Sequence, residues 1–240
     1  MTPVPSPPKR RAGRVVSIKR GQGHQVVRPP PEERQKITLM MLSGGFDSVY
    51  FLYKLLTETE DYIFAHHINL VNPEGRHREE QKACRAIVDW LRANVRQFEY
   101  GETTIMHEGL PVFGYDMVSV GFEAGVISHS IFGSFGRMPD RWIVGTCTEE
   151  GSNPERWVHV ENCVAANCFP QKPPPFDSLP IVTKAEEIAA LPPELRNLVW
   201  YCRRPVRDGD ISRPCGKCTT CITVKEAYDA LGESTQQVGQ

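Results

Sequence analysis

Short segments rich in apolar and β-branched residues alternate along this chain with stretches that carry apolar residues at helical spacing. The apolar-rich segments predict four buried strands, at 37–42, 62–70, 95–100 and 141–146. Helical spacing predicts one helix that begins after residue 46 and two more at 77–95 and 115–135. Strands that alternate with helices indicate an α/β fold, a doubly wound parallel sheet whose ligands bind at the carboxyl ends of its strands.

The second half of the chain has weaker patterns. Residues 149–177 are rich in Gly, Asn and Pro, which predicts a long loop at the edge where an acceptor substrate would enter. Helical spacing resumes over 179–200, and Pro192 and Pro193 start a new short helix within that range. Four segments follow: a basic tail at 1–35, an α/β domain at 36–200, a knuckle with a terminal helix at 201–232, and a disordered tail at 233–240.

Charge is distributed unevenly, although the formal net charge is only -1. Residues 1–36 hold nine Lys or Arg against two Glu, a balance of +7, which leaves about -8 on the rest of the chain. The Pro-rich beginning of this segment predicts a solvated tail, with a short hairpin at 13–27. The sharper alternative is weak nucleic-acid contact through its basic side chains, which include Arg10, Arg11, Arg14, Lys19 and Arg20.

Composition also bears on the compartment. No run of 18 apolar residues occurs, and prolines at 3, 5, 7 and 8 stand where a signal peptide would need an apolar stretch. A cytoplasmic protein without a membrane partner is therefore expected. Of the eight cysteines, three fall within seven residues, a clustering that favours a metal site in a reducing compartment over disulfides.

A candidate phosphate-binding turn follows the first predicted strand and reads Ser-Gly-Gly-Phe-Asp-Ser over residues 43–48. Its two glycines carry no Cβ, so both can take a positive φ and let an anion approach the backbone. The amides of the following helix and the hydroxyls of Ser43 and Ser48 would donate to that anion, while Asp47 would cap the helix or hold Mg2+. The turn has neither the Walker pattern nor the dinucleotide-binding glycine pattern, and an ordinary strand-to-helix turn is the alternative.

Four cysteines near the C-terminus have the spacing C-x12-C-x2-C-x2-C: Cys202, Cys215, Cys218 and Cys221. Four thiolates on a tight knuckle describe a closed, structural Zn2+ site. Such a site would hold a last helix, predicted at 223–231, against the body of the protein. An iron–sulfur cluster is the alternative, because cysteine spacing alone does not distinguish the two metals.

The other cysteines and histidines are weaker candidates. Cys84 and Cys147 lie in apolar helix and strand contexts and are interpreted as core residues. His66 and His67 occupy adjacent strand positions and should face opposite sides of the sheet, so we interpret them as core or sheet-end residues rather than as one metal site. A second metal site or a redox pair is the less favoured interpretation of a further group, His159, Cys163 and Cys168.

The Ser-Gly-Gly-x-Asp-Ser turn after a first strand resembles the pyrophosphate (PP) loop of the ATP pyrophosphatases, which have the adenine nucleotide alpha-hydrolase-like fold. Together with the cysteine knuckle, it makes the chain similar to the 7-cyano-7-deazaguanine (preQ0) synthases of queuosine biosynthesis and nucleic acid modification. The segments that carry the likeness are 42–52, 75–80 with Ala83, Lys184, 200–202 and 215–221.

The resemblance implies a carbon–nitrogen ligase that adenylates a small carboxylate, 7-carboxy-7-deazaguanine, with ATP. With ammonia it would form the amide, and a second ATP would then drive dehydration of the amide to the nitrile, with AMP and pyrophosphate released. The implied cofactors are ATP, Mg2+ and Zn2+, and a homodimer is one arrangement that the resemblance allows. The implied catalytic residues are Ser43, Asp47, Ser48 and Lys184, and the implied ATP-binding residues are Leu42, Ser43, Gly44, Gly45, Phe46, Asp47, Ser48 and Val49.

The middle of the chain departs from the family. The family's segments after its third and fourth strands form the acceptor pocket, and residues 103–113 and 146–153 do not match them. A divergent adenylating enzyme that acts on another acid therefore remains an alternative. A PP-loop tRNA thiolase, in which Cys84 or Cys147 would react, is another, and a non-catalytic nucleotide- or nucleic-acid-binding module is the third.

Overall fold

The computed structural model describes residues 32, 35–107, 109, 115–150, 154–209 and 211–234. The hairpin expected at 13–27 and the basic side chains expected to contact nucleic acid lie outside the described residues. So does the terminal segment from 235 onward. Of the segment predicted as a disordered tail, Glu233 is described and pairs with Arg196 at 3.0 Å.

A four-stranded parallel sheet forms the centre of the described fold, in the order β3-β2-β1-β4. Its strands are β1 (Ile37–Met41), β2 (Tyr62–Val71), β3 (Glu99–Met106) and β4 (Arg141–Val144). In register, Met41 of β1 lies opposite His66 of β2 and Val144 of β4. The predicted parallel α/β sheet is confirmed. Strands β2 and β3 lie on one side of β1 and β4 lies on the other, so the strand order reverses between β1 and β4.

Helices cover both faces of the sheet, which explains why every residue of β1 is buried. Alternate β1 residues point to opposite faces, so Met40 joins one core and Leu39 joins the other. The Met40 face carries α1 (Phe46–Glu58) and α2 (His77–Asn94), together with α5 (Lys184–Ala190), α6 (Pro193–Arg196) and α7 (Thr219–Ala230). The Leu39 face carries α3 (Asp116–Phe135) and α4 (Pro154–Cys168).

The long loop predicted at 149–177 is wrong, because α4 occupies Pro154–Cys168. Its buried residues, Val160, Val164 and Cys168, recur every fourth position on a single face, and polar residues hide this narrow stripe in the sequence. The glycines of α3, which weaken its helical pattern, allow α4 to approach closely. A Cβ on Gly121 would lie 2.7 Å from the Val160 carbonyl oxygen.

Two element boundaries also differ from expectation. The third strand, predicted at 95–100, begins at Glu99 and continues to Met106, because this edge strand is half-buried and carries polar residues. The last helix begins at Thr219 instead of 223, since Cys218 is its N-cap and Cys221 lies in its first turn. A short hairpin, β5 (Val206–Asp208) with β6 (Ile211–Arg213), precedes it.

No helix within the described ranges has the length and apolar character needed to cross a bilayer.

Candidate functional site

A cavity of about 530 Å3 opens at the carboxyl ends of the strands, where the strand order reverses between β1 and β4. Ligands of open α/β sheets bind in such crevices. Several residues of the predicted phosphate-binding turn line this cavity, and so does Lys184, which lies far away in the sequence. The predicted site residues at its wall are Leu42, Ser43, Gly45, Phe46, Asp47, Ser48 and Lys184.

The turn has one glycine with a positive φ, not two. Gly44 has φ 83°, whereas Gly45 is extended with φ -82° and ψ 164° and forms the N-cap of α1. A Cβ on Gly44 would also lie 3.1 Å from Cys84 Sγ, so a side chain is disfavoured there by both strain and space. Gly45 offers no capping side chain, which leaves the first-turn amides of α1 available to an acceptor in the cavity.

The two serines of the turn are held together at its centre. Ser48 Oγ accepts a hydrogen bond from the Ser43 amide at 3.1 Å and lies 3.0 Å from Ser43 Oγ. Val49, by contrast, is fully buried in the core, and its amide donates to the Gly45 carbonyl at 3.1 Å. On this side of the cavity the potential donors are therefore Ser43 and the residues from Gly45 to Ser48.

Lys184 is positioned by its own helix start rather than by the turn. The capping box of Thr183 begins α5, and the Lys184 amide donates to Glu149 Oε1 at 2.9 Å, which ties α5 to the segment after β4. The buried Lys184 ammonium pairs with Asp47 and, at 2.8 Å, with Glu187. Asp47 is therefore the partner of a lysine and does not cap α1.

Electrostatics in this group are strongly coupled. Burial works against the Lys184 charge, but Asp47 and Glu187 together hold its pKa above the usual value. Burial, followed by the neighbouring Asp47 charge, raises the pKa of Glu187 to about 8. Glu187 Oε1 also has no hydrogen-bond partner within the described structure. The group accordingly keeps a lysine charged while crowding carboxylates around it.

The segment after β4 approaches the start of α1 very closely, a feature that the sequence alone did not indicate. A Cβ on Gly145 would lie 2.2 Å from the Asp47 carbonyl carbon, so glycine is needed there. This approach brings Cys147 and Glu150 near Asp47, with one ligand atom from each residue within 4.8 Å of the others. A glycine at the end of a predicted strand was the one available signal.

Neither cysteine near the turn is arranged as a nucleophile. Cys147 is 2% exposed, and burial and then the Asp47 charge raise the pKa of its thiol. Cys84 is fully buried, and burial raises its thiol pKa well above the usual value. The raised pKa values keep both thiols protonated at neutral pH. Because only the thiolate is a good nucleophile, neither side chain is suited to covalent chemistry.

A second charged group lines the far wall of the cavity and was not found from the sequence. Asp116 Oδ2 accepts from Arg76 at 2.8 Å and from Arg203 at 3.0 Å. Arg76 Nε lies 3.2 Å from both Glu74 and Glu80. These residues come from the starts of α2 and α3 and from the segment after α6, which only the fold brings together.

Glu80 predicts a pH dependence of stability. Burial raises its pKa to about 7 from a usual 4.5, against the opposing Arg76 charge. Because the folded protein holds this proton more tightly than the unfolded chain, Glu80 contributes its full stabilisation of the folded state below pH 4.5. The contribution is lost as the pH rises through about 7. Urea unfolding from pH 4.5 to 7.5 should show wild type losing up to about 3 kcal/mol more than Glu80→Gln. Parallel pH profiles for the two proteins would contradict this assignment.

The four predicted metal ligands converge at one place. One sulfur from each of Cys202, Cys215, Cys218 and Cys221 lies within 4.8 Å of the others, and the Cys215 and Cys221 sulfurs are 4.0 Å apart. Backbone amides donate to these sulfurs, as Cys215 does to Cys202 Sγ at 3.2 Å. Such donors favour thiolates, so the cluster could hold a metal ion such as zinc.

This cluster is joined directly to the turn. The Trp200 amide donates to the Gly44 carbonyl at 3.0 Å, and the Trp200 indole donates to the Cys202 carbonyl at 3.0 Å. The next ring, Tyr201, stacks on Phe46 with 5.9 Å between centroids. The backbone that leads to the first metal ligand therefore also supports the start of α1.

The remaining candidates behave as buried or separate residues. His66 bonds to Thr103 Oγ1 at 3.0 Å and His67 to the Leu42 carbonyl at 3.0 Å, which places the two rings on opposite faces as predicted. Cys168 is buried on α4, near Gly125. Within the described ranges, His159, Cys163 and Cys168 do not form a group that could hold a metal ion.

Comparisons give no relatives for this chain: no protein-family model matches it, and no match is found among curated proteins or among solved structures. The chemistry of the site therefore rests on the contacts within the protein itself.

Proposed function

We propose that the protein is an ATP-dependent carbon–nitrogen ligase that adenylates a carboxylate and transfers the acyl group to ammonia. The observation that carries this proposal is the convergence of phosphate-binding groups in one cavity at the strand-order reversal. Ser43, Ser48, the first-turn amides of α1 and the charged Lys184 all reach that cavity.

The donors are matched to a pyrophosphate. Hydroxyls and amides supply directional hydrogen bonds, and the α1 dipole adds a favourable field for negative charge. The Lys184 ammonium is held in place by Asp47 and Glu187 before any ligand arrives. These groups would bind ATP through its β and γ phosphates and stabilise pyrophosphate as it leaves.

A divalent cation fits the same place. Asp47 and Glu150 lie together in one group, and Asp47 also pairs with Lys184. Asp47 and Glu150 offer the oxygen ligands that Mg2+ prefers. A bound Mg2+ would neutralise phosphate charge, while Lys184 holds Asp47 in position.

The acceptor in this proposal is a carboxylic acid. A carboxylate by itself does not react with ammonia, but it becomes reactive once one of its oxygens carries AMP. The buried, protonated thiols of Cys84 and Cys147 favour this direct transfer over a thiolase reaction that passes through a cysteine. We propose 7-carboxy-7-deazaguanine as the acid, and its amide and nitrile as products. The likeness of 42–52, 75–80 and 215–221 to the preQ0 synthases supports this choice.

Zinc is the metal that we propose for the four-cysteine cluster. Zn–S bonds of about 2.3 Å in a tetrahedron separate the sulfurs by about 3.8 Å, close to the 4.0 Å between Cys215 and Cys221. Four cysteines leave no open position, so the role is structural. Sulfurs this close together fit a single ion better than a cluster in which each cysteine binds a different iron.

The products of the reaction test the proposal. Purified protein incubated with ATP, Mg2+, ammonium and 7-carboxy-7-deazaguanine should yield AMP and pyrophosphate with the amide or nitrile, detected by mass spectrometry. Ser48→Ala, which removes a hydroxyl at the centre of the turn, should lower the rate by roughly tenfold or more. Release of ADP and phosphate instead of AMP and pyrophosphate would rule out adenylation.

A further inference from the structure

His67 is buried beneath the turn, and among the described residues only one of its two ring nitrogens has a hydrogen-bond partner. It is 1% exposed, and its Nδ1 lies 3.0 Å from the Leu42 carbonyl oxygen. Nε2 is buried and has no hydrogen-bond partner in the described part of the protein, yet the residue lines the cavity. A buried polar atom without a partner is rare and unfavourable, which points to a ligand that supplies the missing bond.

The tautomer of His67 follows from its contacts. A carbonyl oxygen only accepts, so its 3.0 Å contact with Nδ1 places the ring proton on Nδ1. Burial lowers the pKa of His67 from 6.5, and the Leu42 bond only partly opposes this, so the ring is neutral at pH 7. Cys84 Sγ contacts the same nitrogen at 3.4 Å. Nε2 therefore presents a lone pair, and its partner must be a hydrogen-bond donor.

We propose that His67 Nε2 accepts a hydrogen bond from the nucleoside part of bound ATP, from the adenine amino group or a ribose hydroxyl. Ionised phosphates and carboxylates have no proton to donate, which excludes the triphosphate itself and the acid group of the acceptor. The Leu42 carbonyl orients the His67 ring, and the next residue, Ser43, belongs to the proposed phosphate-binding turn. The backbone of the turn therefore fixes the position of the Nε2 lone pair relative to the phosphate donors. The inference rests on the proposed function only as far as ATP binding.

Analogues of ATP that each lack one donor test the contact. Binding of ATP, inosine triphosphate, 2′-deoxy-ATP and 3′-deoxy-ATP is measured by calorimetry for wild type and for His67→Phe. One analogue should bind wild type roughly tenfold more weakly than ATP, and the same analogue should bind His67→Phe within about twofold of ATP. Cys84→Ser, which keeps Nε2 and alters the contacts of this side chain with His67 Nδ1 and the Leu42 carbonyl, should behave as wild type.

The outcomes separate the inference from the proposed function. If each analogue is weakened equally in wild type and in His67→Phe, the His67 contact is wrong while ATP binding stands. If wild type binds no ATP, the proposed function itself fails and the contact with it.

A spectroscopic measurement covers the case in which His67→Phe does not fold. In wild type labelled with 15N-histidine, saturation with ATP should shift the Nε2 resonance while Nδ1 stays protonated. No shift with ATP would overturn the proposal. A shift with ammonium alone would also overturn it, by assigning the lone pair to the amine nucleophile instead of the nucleotide.

Discussion

Removing the metal ion from the four-cysteine cluster is expected to unfold the C-terminal unit and to abolish ATP binding together. The ligands span Cys202 to Cys221, and a closed zinc site contributes about 10 kcal/mol or more of folding free energy in small metal-dependent units. The Trp200 amide, which bonds to the Gly44 carbonyl, lies two residues before the first ligand, so the turn loses a fixed support.

The measurement is a titration of the protein with a strong chelator, followed by circular dichroism, metal analysis and ATP calorimetry on the same samples. Cys218→Ser should reproduce the chelated state and hold less than one equivalent of metal. Cys163→Ser, which changes a half-buried cysteine on α4 outside the cluster, is the matched control and should keep metal, helix content and affinity. Full ATP affinity after loss of the metal would contradict the coupling between cluster and turn.

Replacing Lys184 with methionine is expected to lower stability by about 3–5 kcal/mol and to remove measurable ATP binding. The Lys184 side chain is 3% exposed and pairs with both Asp47 and Glu187. Methionine fills similar space but leaves the buried Glu187 and the partly buried Asp47 without their cation, and the turn then lacks the lysine charge that we propose lies beside the phosphates. Urea unfolding and ATP calorimetry measure the two effects.

Two further variants separate the structural effect from the binding effect. Adding Glu187→Gln to Lys184→Met should recover part of the lost stability, because a buried Glu187 without its cation must take up a proton on folding, and this costs free energy that glutamine does not. The double variant should not recover ATP binding. Lys54→Met, at a lysine whose partner Glu58 is half exposed, should cost less than about 1 kcal/mol and leave binding unchanged. Recovery of affinity in the double variant would mean that Lys184 acts only through stability.

Most of the fold could be predicted from periodic patterns because these are local. The turn at 43–48 was placed correctly between β1 and α1, and the four cysteines do converge. The loop predicted at 149–177 was wrong because the buried stripe of α4 is one residue wide. The α3 glycines weaken a helical pattern, yet they allow α4 to pack closely. The start of β3 was misplaced because an edge strand buries little and therefore carries no continuous apolar run.

The sequence by itself determined the strand-to-helix turn and the four thiolates, since each depends on residue types a few positions apart. Tertiary structure decided which groups meet there. Lys184 reaches Asp47 across 137 positions, Asp116 joins Arg76 to Arg203, and Gly145 brings the end of β4 onto α1. The physical reason is that a parallel sheet collects the ends of distant strands at one edge, where contacts depend on strand order and close approach rather than on spacing along the chain.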